Sequence, residues 1–395
     1  MPHLRLRARP APLASLRVTS SARTVRTIDP ATHAEHLRTL PAASFLQTPA
    51  WGRVKAEWRA ESLGWFDGDR LVGVALVLHR ALPRTGRTLA YLPEGPVIDW
   101  AGAAETDGLA SWLDPMVAHL KARKAFAVRM GPPVPVRRWA AATVKAAIAD
   151  PALGRLGDVP PDVTDSGGVA AVEHLRAAGW RLQAATGGGF TAGQPQYVFQ
   201  VPLADRDEDV LLKAMNQQWR RNIKKAAKEG VEVRVGGRDD LAAFHTLYAE
   251  TAGRDGFTPR PLAYFQLMWD ELTAEDPGRL RLYLGEHDGD LVAATTLVRV
   301  GEHAWYSYGA SSTAKREVRG SNAVQWQMMR DARAAGATVY DLRGITDTLD
   351  ADDPHLGLVQ FKVGTGGEAV EYAGEWDLPL NPLLYRAFDL YLRRR

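Results

Sequence analysis

Residues 62–78, SLGWFDGDRLVGVALVL, and residues 281–300, RLYLGEHDGDLVAATTLVRV, decide how this chain folds. Each sets runs of β-branched, aliphatic and aromatic residues on either side of an Asp-Gly-Asp tripeptide, the composition of two strands joined by a tight hairpin turn. Matching the strands that follow the two turns sets Leu71-Val72-Gly73-Val74-Ala75 against Leu291-Val292-Ala293-Ala294-Thr295. Upstream of the first hairpin lie a strand from Thr24 and helical segments near 31–39 and 49–59. Downstream come the strand LAYLPEGPVID, a helix over 106–124 and a strand over 125–130. The second half repeats the order. YVFQVPL (197–203) is a strand, 207–229 one long helix, VEVRV a strand, and 239–252 and 261–273 are helices. After the hairpin come AWYSYGASS, a helix over 321–335 and the strand VYDLRGI. Matched order with weak identity points to internal duplication, the alternative being that hairpins recur in any α/β chain.

The fold class expected is α/β (α+β): two tandem lobes, each built on a mixed central sheet. The expected division is a basic arm over 1–26, a first lobe over 27–180 that includes a Pro-, Ala- and Gly-rich linker over 132–170, a second lobe over 181–380, and a carboxyl-terminal helix over 381–395. The arm carries Arg5, Arg7, Arg9, Arg17, Arg23 and Arg26 with no acidic side chain, and lacks the apolar run of a secretory signal. The longest apolar stretch, Leu71 to Leu78, is eight residues, under half of a membrane span. A cytoplasmic chain is therefore expected, peripheral to the membrane at most.

A composition 46% hydrophobic and 24% charged is that of a globular protein. The absence of cysteine removes disulfides, thiolate nucleophiles and cysteine-ligated metal centres. His33 and His36 are spaced i, i+3 but have no third ligand nearby in sequence, so no metal site is expected. Net charge is only +3, so affinity for an anion must come from clustering. One cluster stands out. Between residues 213 and 234 seven basic side chains face two acidic ones. Leu212, Met215, Trp219, Ile223 and Ala226 make an apolar stripe, while Lys213, Arg220, Lys224 and Lys228, flanked by Arg221 and Lys225, make a basic face. Such a face fits nucleic-acid phosphates, or is simply solvated.

The strand–helix–hairpin order resembles the GNAT acyltransferase fold, here twice. A coenzyme A enzyme of that fold carries Q/R-x-x-G-x-G/A where a strand meets a helix, so that backbone N–H groups hold pyrophosphate. The only match, Arg70 to Ala75, lies inside a hairpin strand, and Arg319-Gly320-Ser321-Asn322 in the second lobe does not fit. A bulkier acyl donor is implied.

Four segments carry a more specific resemblance. They are FLQTPAWGRVKAEW (45–58), YLPEGPVIDW (91–100), MNQQWRRNIKKAAKEGVEV (215–233), and a carboxyl-terminal block of YSYGASS (306–312), WQMMRDARAAGATVYDLRGI (326–345) and QFKVGTGGEAVEYAGEWDLPLNP (360–382). Together they resemble the Fem family of aminoacyltransferases, which move amino acids from aminoacyl-tRNA onto peptidoglycan precursors. The resemblance implies a compact member, because 235–281 has no room for the long helical arm of some relatives. It implies aminoacyl-tRNA and a muramyl-pentapeptide precursor, nucleotide- or lipid-linked, as partners, with no cofactor and no metal. It also places Lys55, Trp58 and Asp99 at acceptor positions of the first lobe, and Arg220 or Arg221, Tyr308, Phe361 and Lys362 at site positions of the second.

The residue types suit the chemistry. A lysine-like amine with a pKa of about 10.4 costs roughly 4.6 kcal/mol to present neutral at pH 7. Holding ester and amine together supplies on the order of 7–11 kcal/mol, and an oxyanion donor roughly 3 more. Lys362, before the glycine-rich turn Gly364, Gly366 and Gly367, is the candidate cation, with Phe361, Asp99 and Tyr308 completing the catalytic set; the alternative for Lys362 is a surface lysine on an edge strand. Asp99 either orients the amine or caps a strand. Lys55 between Trp51 and Trp58, with Arg220 and Arg221, suits acceptor phosphates. Lys213, Lys224, Lys225 and Lys228 are assigned to tRNA. Tyr306 and Tyr308 are expected on one face of a sheet, as are Asp341 and Arg343, either as an internal ion pair or as site groups. The end, NPLLYRAFDLYLRRR, is either a docking helix or an amphipathic contact with anionic lipid. Three competing activities stay open: tRNA-dependent aminoacylation of another small molecule, coenzyme A-dependent N-acyl transfer, and non-catalytic tRNA binding.

Overall fold

The computed structural model describes residues 23–105, 108–183 and 193–393, so most of the expected basic arm lies outside the described residues. Two sheets form. Read edge to edge, the first holds Thr24–Thr27, Arg59–Asp67, Arg70–Leu82, Arg87–Leu92, Ala125–Met130, Trp376–Pro379 and Arg181–Leu182. The second holds Glu232–Gly236, Leu280–His287, Asp290–Val300, His303–Ser311, Val339–Ile345, Tyr197–Pro202, Glu368–Tyr372, Pro135–Ala140 and Val163–Thr164. In each, four antiparallel strands are followed by one parallel neighbour, Arg87–Leu92 beside Ala125–Met130 and His303–Ser311 beside Val339–Ile345. Helices make both crossovers, as a parallel connection requires.

The hairpin repeat extends to its irregularities. A bulge interrupts the first hairpin at Trp65/Phe66 and the second at Gly285/Glu286, with Phe66 opposite Leu71 and Glu286 opposite Leu291. The tripeptides themselves are displaced by one position. Gly68 takes positive φ after Asp67, whereas Asp288 and Gly289 both take positive φ after His287. Shared strand register, rather than the Asp-Gly-Asp letters, marks the equivalence.

The linear division of the lobes needs correction. Pro135–Ala140 and Val163–Thr164, assigned to a linker of the first lobe, pair in the second sheet, where Arg137 forms an ion pair with Glu371. Trp376–Pro379 returns from the second half to the first sheet, and Arg129 clamps Asp377 through two hydrogen bonds of 2.7 Å. The strand expected from Thr24 forms as Thr24–Thr27 in the first sheet, so the basic arm expected over 1–26 ends before it. A strand is stabilised by whichever edge covers its apolar face, and that choice is invisible in local pattern.

The expected long helix over 207–229 is two helices, Glu208–Ala214 and Gln217–Lys228. Met215 is extended between them, and the Asn216 side chain accepts from Trp219 N at 2.8 Å, capping the second helix. The segment after Pro49 is helical only to Val54.

Each lobe has its own core, and a third lies between them. Leu37, Phe45, Leu46, Trp51, Val74 and Leu76 of the first lobe pack with Met268, Leu272, Leu280, Val298 and Trp305 of the second. Two hydrophobic faces buried on each other hold the lobes in one arrangement, unlike the polar interfaces of mobile domains. Among the described residues no helix is long and apolar enough to cross a membrane.

Candidate functional site

Two of the quoted first-lobe segments meet through Gln47. Its amide donates to Pro93 O at 2.7 Å and its Oε1 accepts from Leu76 N at 2.9 Å. A Cβ on Gly95 would lie 2.4 Å from the Gln47 side chain, so only glycine permits this approach. The loop so held presents Glu94. Ser44 donates to one Glu94 oxygen at 2.5 Å, and Arg343 of the second lobe donates to the other at 2.7 Å. Both Glu94 and Arg343 sit in the left-handed region, at φ 48° and 63°. Non-glycine residues held there by their surroundings cluster at functional sites.

The bend at Arg343 builds the second-lobe half of the site. Pairing between Val339–Ile345 and Tyr197–Pro202 shifts register between Asp341 and Gly344. Asp341 accepts from Arg343 N at 2.5 Å and from Gln200 at 3.0 Å, with His303 Nε2 at 3.3 Å. Burial works to raise the Asp341 carboxyl, but His303, the Arg343 charge and Gln200 outweigh it and hold it below the usual range. The bend turns carbonyls toward Lys362, whose ammonium donates to Gly344 O at 2.6 Å and less closely to Arg343 O at 3.4 Å.

Lys362 lies in the helix Leu356–Val363 and is 4% exposed, which excludes a surface lysine on an edge strand. Burial pushes its pKa down to about 7; the Arg343 charge adds to the shift and Asp341 opposes it. Near neutrality it therefore exchanges between charged and neutral forms. The basic helix is fastened directly to this segment. Trp219 donates to Phe361 O at 2.8 Å, the two rings lie 4.8 Å apart, and Asn216 N donates to Gly364 O at 2.9 Å. The start of Gln217–Lys228 thus abuts the turn carrying Lys362. Lys213, Arg221, Lys224 and Lys228 are exposed and Lys225 half-buried. Arg220 instead donates to Lys213 O and Met215 O, closing the end of the preceding helix, so its expected acceptor role gives way to a structural one. Arg221, one position on, belongs to the same exposed basic surface.

Lys55 and Trp58, also expected on the acceptor side, lie at the lobe junction. The Lys55 ammonium lies 5.2 Å from the Trp51 ring and 5.2 Å from the ring of Tyr264 in the second lobe. Burial lowers its pKa, Arg260 lowers it further and Glu57 opposes. The Arg260 guanidinium stands 5.1 Å from the same Tyr264 ring, and the Tyr264 hydroxyl is 3.2 Å from that of Tyr308. Two cations from different lobes thus flank one tyrosine, a surface suited to a diphosphate. Trp58 lies 6.0 Å from the Tyr91 ring with Arg80 at 5.6 Å. Tyr91 donates to buried Glu375 at 2.7 Å, and Gln194 touches both Tyr91 and Arg343. Contacts therefore run from Arg260 through Tyr264, Lys55, Trp51, Phe45 and Arg343 to Lys362.

Three expectations change. Asp99 is exposed and accepts from Gly102 N at 3.0 Å, capping the short helix Trp100–Glu105; the carboxylate of this loop that reaches the second lobe is Glu94. Tyr306 and Tyr308 face opposite sides of the sheet. Thr296 pairs with Tyr308 and Leu297 with Tyr306, so the extra residue Ser307 reverses the alternation. Tyr306 joins the second-lobe core and Tyr308 the junction. Asp341 and Arg343 do not form a side-chain ion pair with each other, because the guanidinium turns to Glu94. Sequence reading missed Arg260, Tyr264, Glu94, Gln194 and Glu375. Only Arg260-Pro261 ahead of the aromatic pair Tyr264-Phe265 offered a local signal. His33, one of the paired histidines, is buried with its pKa lowered to about 3 by burial and by His36, and its Nδ1 lies 2.9 Å from Ser62 Oγ. Among the described residues no cluster could hold a metal ion.

Known proteins resemble this chain in sequence and fold. A model of the FemAB family matches residues 28–276 and 283–393. Lipid II:glycine glycyltransferases of Staphylococcus aureus strains MRSA252 and USA300 are 25% identical over 90% of this chain and 93% of their own length. A crystal structure of FemX superposes with a TM-score of 0.76 at 24% identity, over 92% of this chain and 99% of that one. A tandem GNAT protein from the clavulanic acid biosynthesis pathway gives 0.50 at 12% identity, over 91% of this chain and 98% of its own. The last two show the fold, two GNAT-like lobes in tandem.

Proposed function

Because this chain belongs to the FemAB family, we propose that it transfers an amino acid from aminoacyl-tRNA to an amine of a peptidoglycan precursor, a muramyl pentapeptide linked to nucleotide or lipid, and builds a peptide cross-bridge without cofactor or metal. The observation that carries the reading is the fastening of the exposed basic helix to the Phe361–Gly364 turn, which sets a surface for donor phosphates against buried Lys362. Names of similar proteins point the same way for the acceptor, since the Staphylococcus aureus relatives are lipid II:glycine glycyltransferases.

In this reading the acceptor's diphosphate rests between Lys55 and Arg260 on Tyr264, with Tyr308 and Trp58 along its path. The stem peptide runs past Arg343 and Glu94 toward Lys362. The acceptor nitrogen attacks the ester carbonyl carbon, the bond from that carbon to the tRNA ribose oxygen breaks, and the amine's proton leaves with the ribose oxygen or to solvent. With two backbone carbonyls taking two of its donors, Lys362 turns the remaining N–H toward the oxyanion, in a dry site where such a bond is worth more than in water. Its lowered pKa equally lets the neutral form accept the amine's proton. Lysines 213, 224, 225 and 228, with Arg221, contact tRNA phosphates.

The test is a transfer assay with tRNA charged by labelled amino acids. Muramyl-pentapeptide precursor, another small amine, and acetyl-CoA are supplied in separate reactions. Label in the muramyl peptide is expected. Acetyl transfer, label only in the other amine, or tRNA retention without transfer would replace the reading.

A further inference from the structure

We infer that the carboxyl-terminal helix Pro382–Arg393 and the basic turns beside it form a docking face for the surface of an anionic phospholipid bilayer. The helix is held rigidly on one side. Tyr385 and Phe388 are buried against Leu89, Phe126 and Ala127, the Phe388 and Phe126 rings lie 5.4 Å apart, and Tyr385 donates to Asp377 at 2.7 Å. That anchoring turns another face outward. Leu383 is 79% exposed and Leu390 56%, and with exposed Arg386 and Ala387 between them they follow the i, i+3, i+4, i+7 spacing of one helical stripe. Leu383 is the most exposed of the large hydrophobic side chains among the described residues. The outer stripe of this short helix is apolar at both ends and cationic in the middle, the reverse of an ordinary solvated face.

Charge on the segments that carry the helix selects the occupant. The floor of the helix includes Leu82 and Leu89 of the hairpin 82–89 and Phe126 just beyond the turn 121–124, and Thr88 N donates to Lys124 O at 3.3 Å. Those two segments carry exposed Arg84, Lys121 and Lys124 and half-buried Arg87, while residues 80–87 and 119–124 contain no acidic side chain. Arg123 of the same turn is engaged by Glu61 and Thr27. Leucines that insert at headgroup depth, with lysine and arginine on neighbouring segments, are the chemistry of an interfacial helix on anionic lipid. Each cation that reaches such a surface strengthens binding about fivefold, and salt screens the effect.

The biological use of this face rests on the proposed reaction, because it would bring the site to a lipid-linked acceptor; the vesicle measurement itself needs neither donor nor acceptor. Full-length protein is floated with vesicles of phosphatidylglycerol and phosphatidylcholine, or phosphatidylcholine alone, at low and high salt. Binding to the anionic vesicles should exceed binding to the neutral ones at least tenfold and fall with salt. Leu383→Asp/Leu390→Asp, and separately Lys121→Gln/Lys124→Gln, should each reduce it at least tenfold. Circular dichroism and transfer to a soluble, nucleotide-linked acceptor should stay unchanged. Equal binding to both vesicle types, or wild-type binding by the leucine variant, overturns the inference. So does a dimer, seen by size-exclusion chromatography, that the leucine variant splits while no vesicle is bound. Loss of transfer with vesicle binding intact would instead count against the proposed reaction alone.

Discussion

Replacing Lys362 by methionine should make the protein more stable and the enzyme worse, and the stability gain should depend on pH. The methionine keeps the four-atom stem of the side chain and removes the ammonium. Lys362 is 4% exposed, and burial takes its pKa from 10.5 to about 7. Keeping a lysine in that environment at pH 7 costs about 4–5 kcal/mol, at 1.36 kcal/mol per unit. Losing the bond to Gly344 O leaves that carbonyl unsatisfied, which offsets about 1–3 kcal/mol of the gain. A net stabilisation of about 1–4 kcal/mol at pH 7 follows. The sign with pH is fixed by proton counting. Between the folded pKa near 7 and the unfolded value near 10.5 the unfolded chain holds a proton that the folded chain does not, so wild-type stability rises with pH. Below pH 7 both states are protonated and the cost is constant. Urea unfolding followed by tryptophan fluorescence at pH 6, 7, 8 and 9 measures it. The variant's advantage should be level from pH 6 to just below 7 and shrink by about 2 kcal/mol between pH 7 and 9. Transfer should fall about 100-fold, the worth of one oxyanion donor. An advantage that does not change between pH 7 and 9, or a variant with wild-type turnover, would refute the reasoning.

Lys55→Met and Arg260→Met should each raise the KM for a diphosphate-bearing acceptor about tenfold, the loss of one charge-assisted contact, with kcat within twofold. Steady-state kinetics over a range of acceptor concentrations checks this. A fall in kcat at unchanged KM would move both residues out of the binding surface. Lys224→Gln/Lys228→Gln should weaken tRNA binding and flatten the plot of log affinity against log salt by about 1.4–1.8, measured by filter binding. An unchanged slope would make this helix a solvated face. Glu61→Gln should cost about 2–3 kcal/mol at pH 7, because buried Glu61 sits 2.8 Å from His79 and 3.0 Å from His119. Burial acts to raise the Glu61 carboxyl, but hydrogen bonds from His79, Thr27 and His119 outweigh it and hold it well below the ordinary range. Its contribution is therefore present above the unfolded value near 4.5 and lost as pH falls. Wild type should lose more stability than the variant between pH 5 and 3 in unfolding titrations, and parallel loss would contradict this.

Local pattern fixed the repeat. Alternating hydrophobic runs about a Gly-containing turn have few other ways to bury themselves, so the hairpins, the flanking helices and the tandem order followed from composition and spacing. The basic helix was legible in the same way, whereas Lys55 and Lys362 were singled out through the family resemblance. Side-chain direction and edge pairing were not. The bulge at Ser307 separates Tyr306 from Tyr308, the left-handed Arg343 turns its guanidinium to Glu94 instead of Asp341, and Trp376–Pro379 crosses to the other sheet. Each outcome rests on a contact between residues far apart in the chain, and no window of neighbouring residues encodes it. Arg260 and Tyr264 are the plainest case. Their own segment offers only an arginine ahead of an aromatic pair, and they become a site because the hydrophobic junction between the lobes sets Lys55 against the same ring. Sequence determined which chemistries the chain can offer; the packing of one lobe on the other decided which of them share a surface.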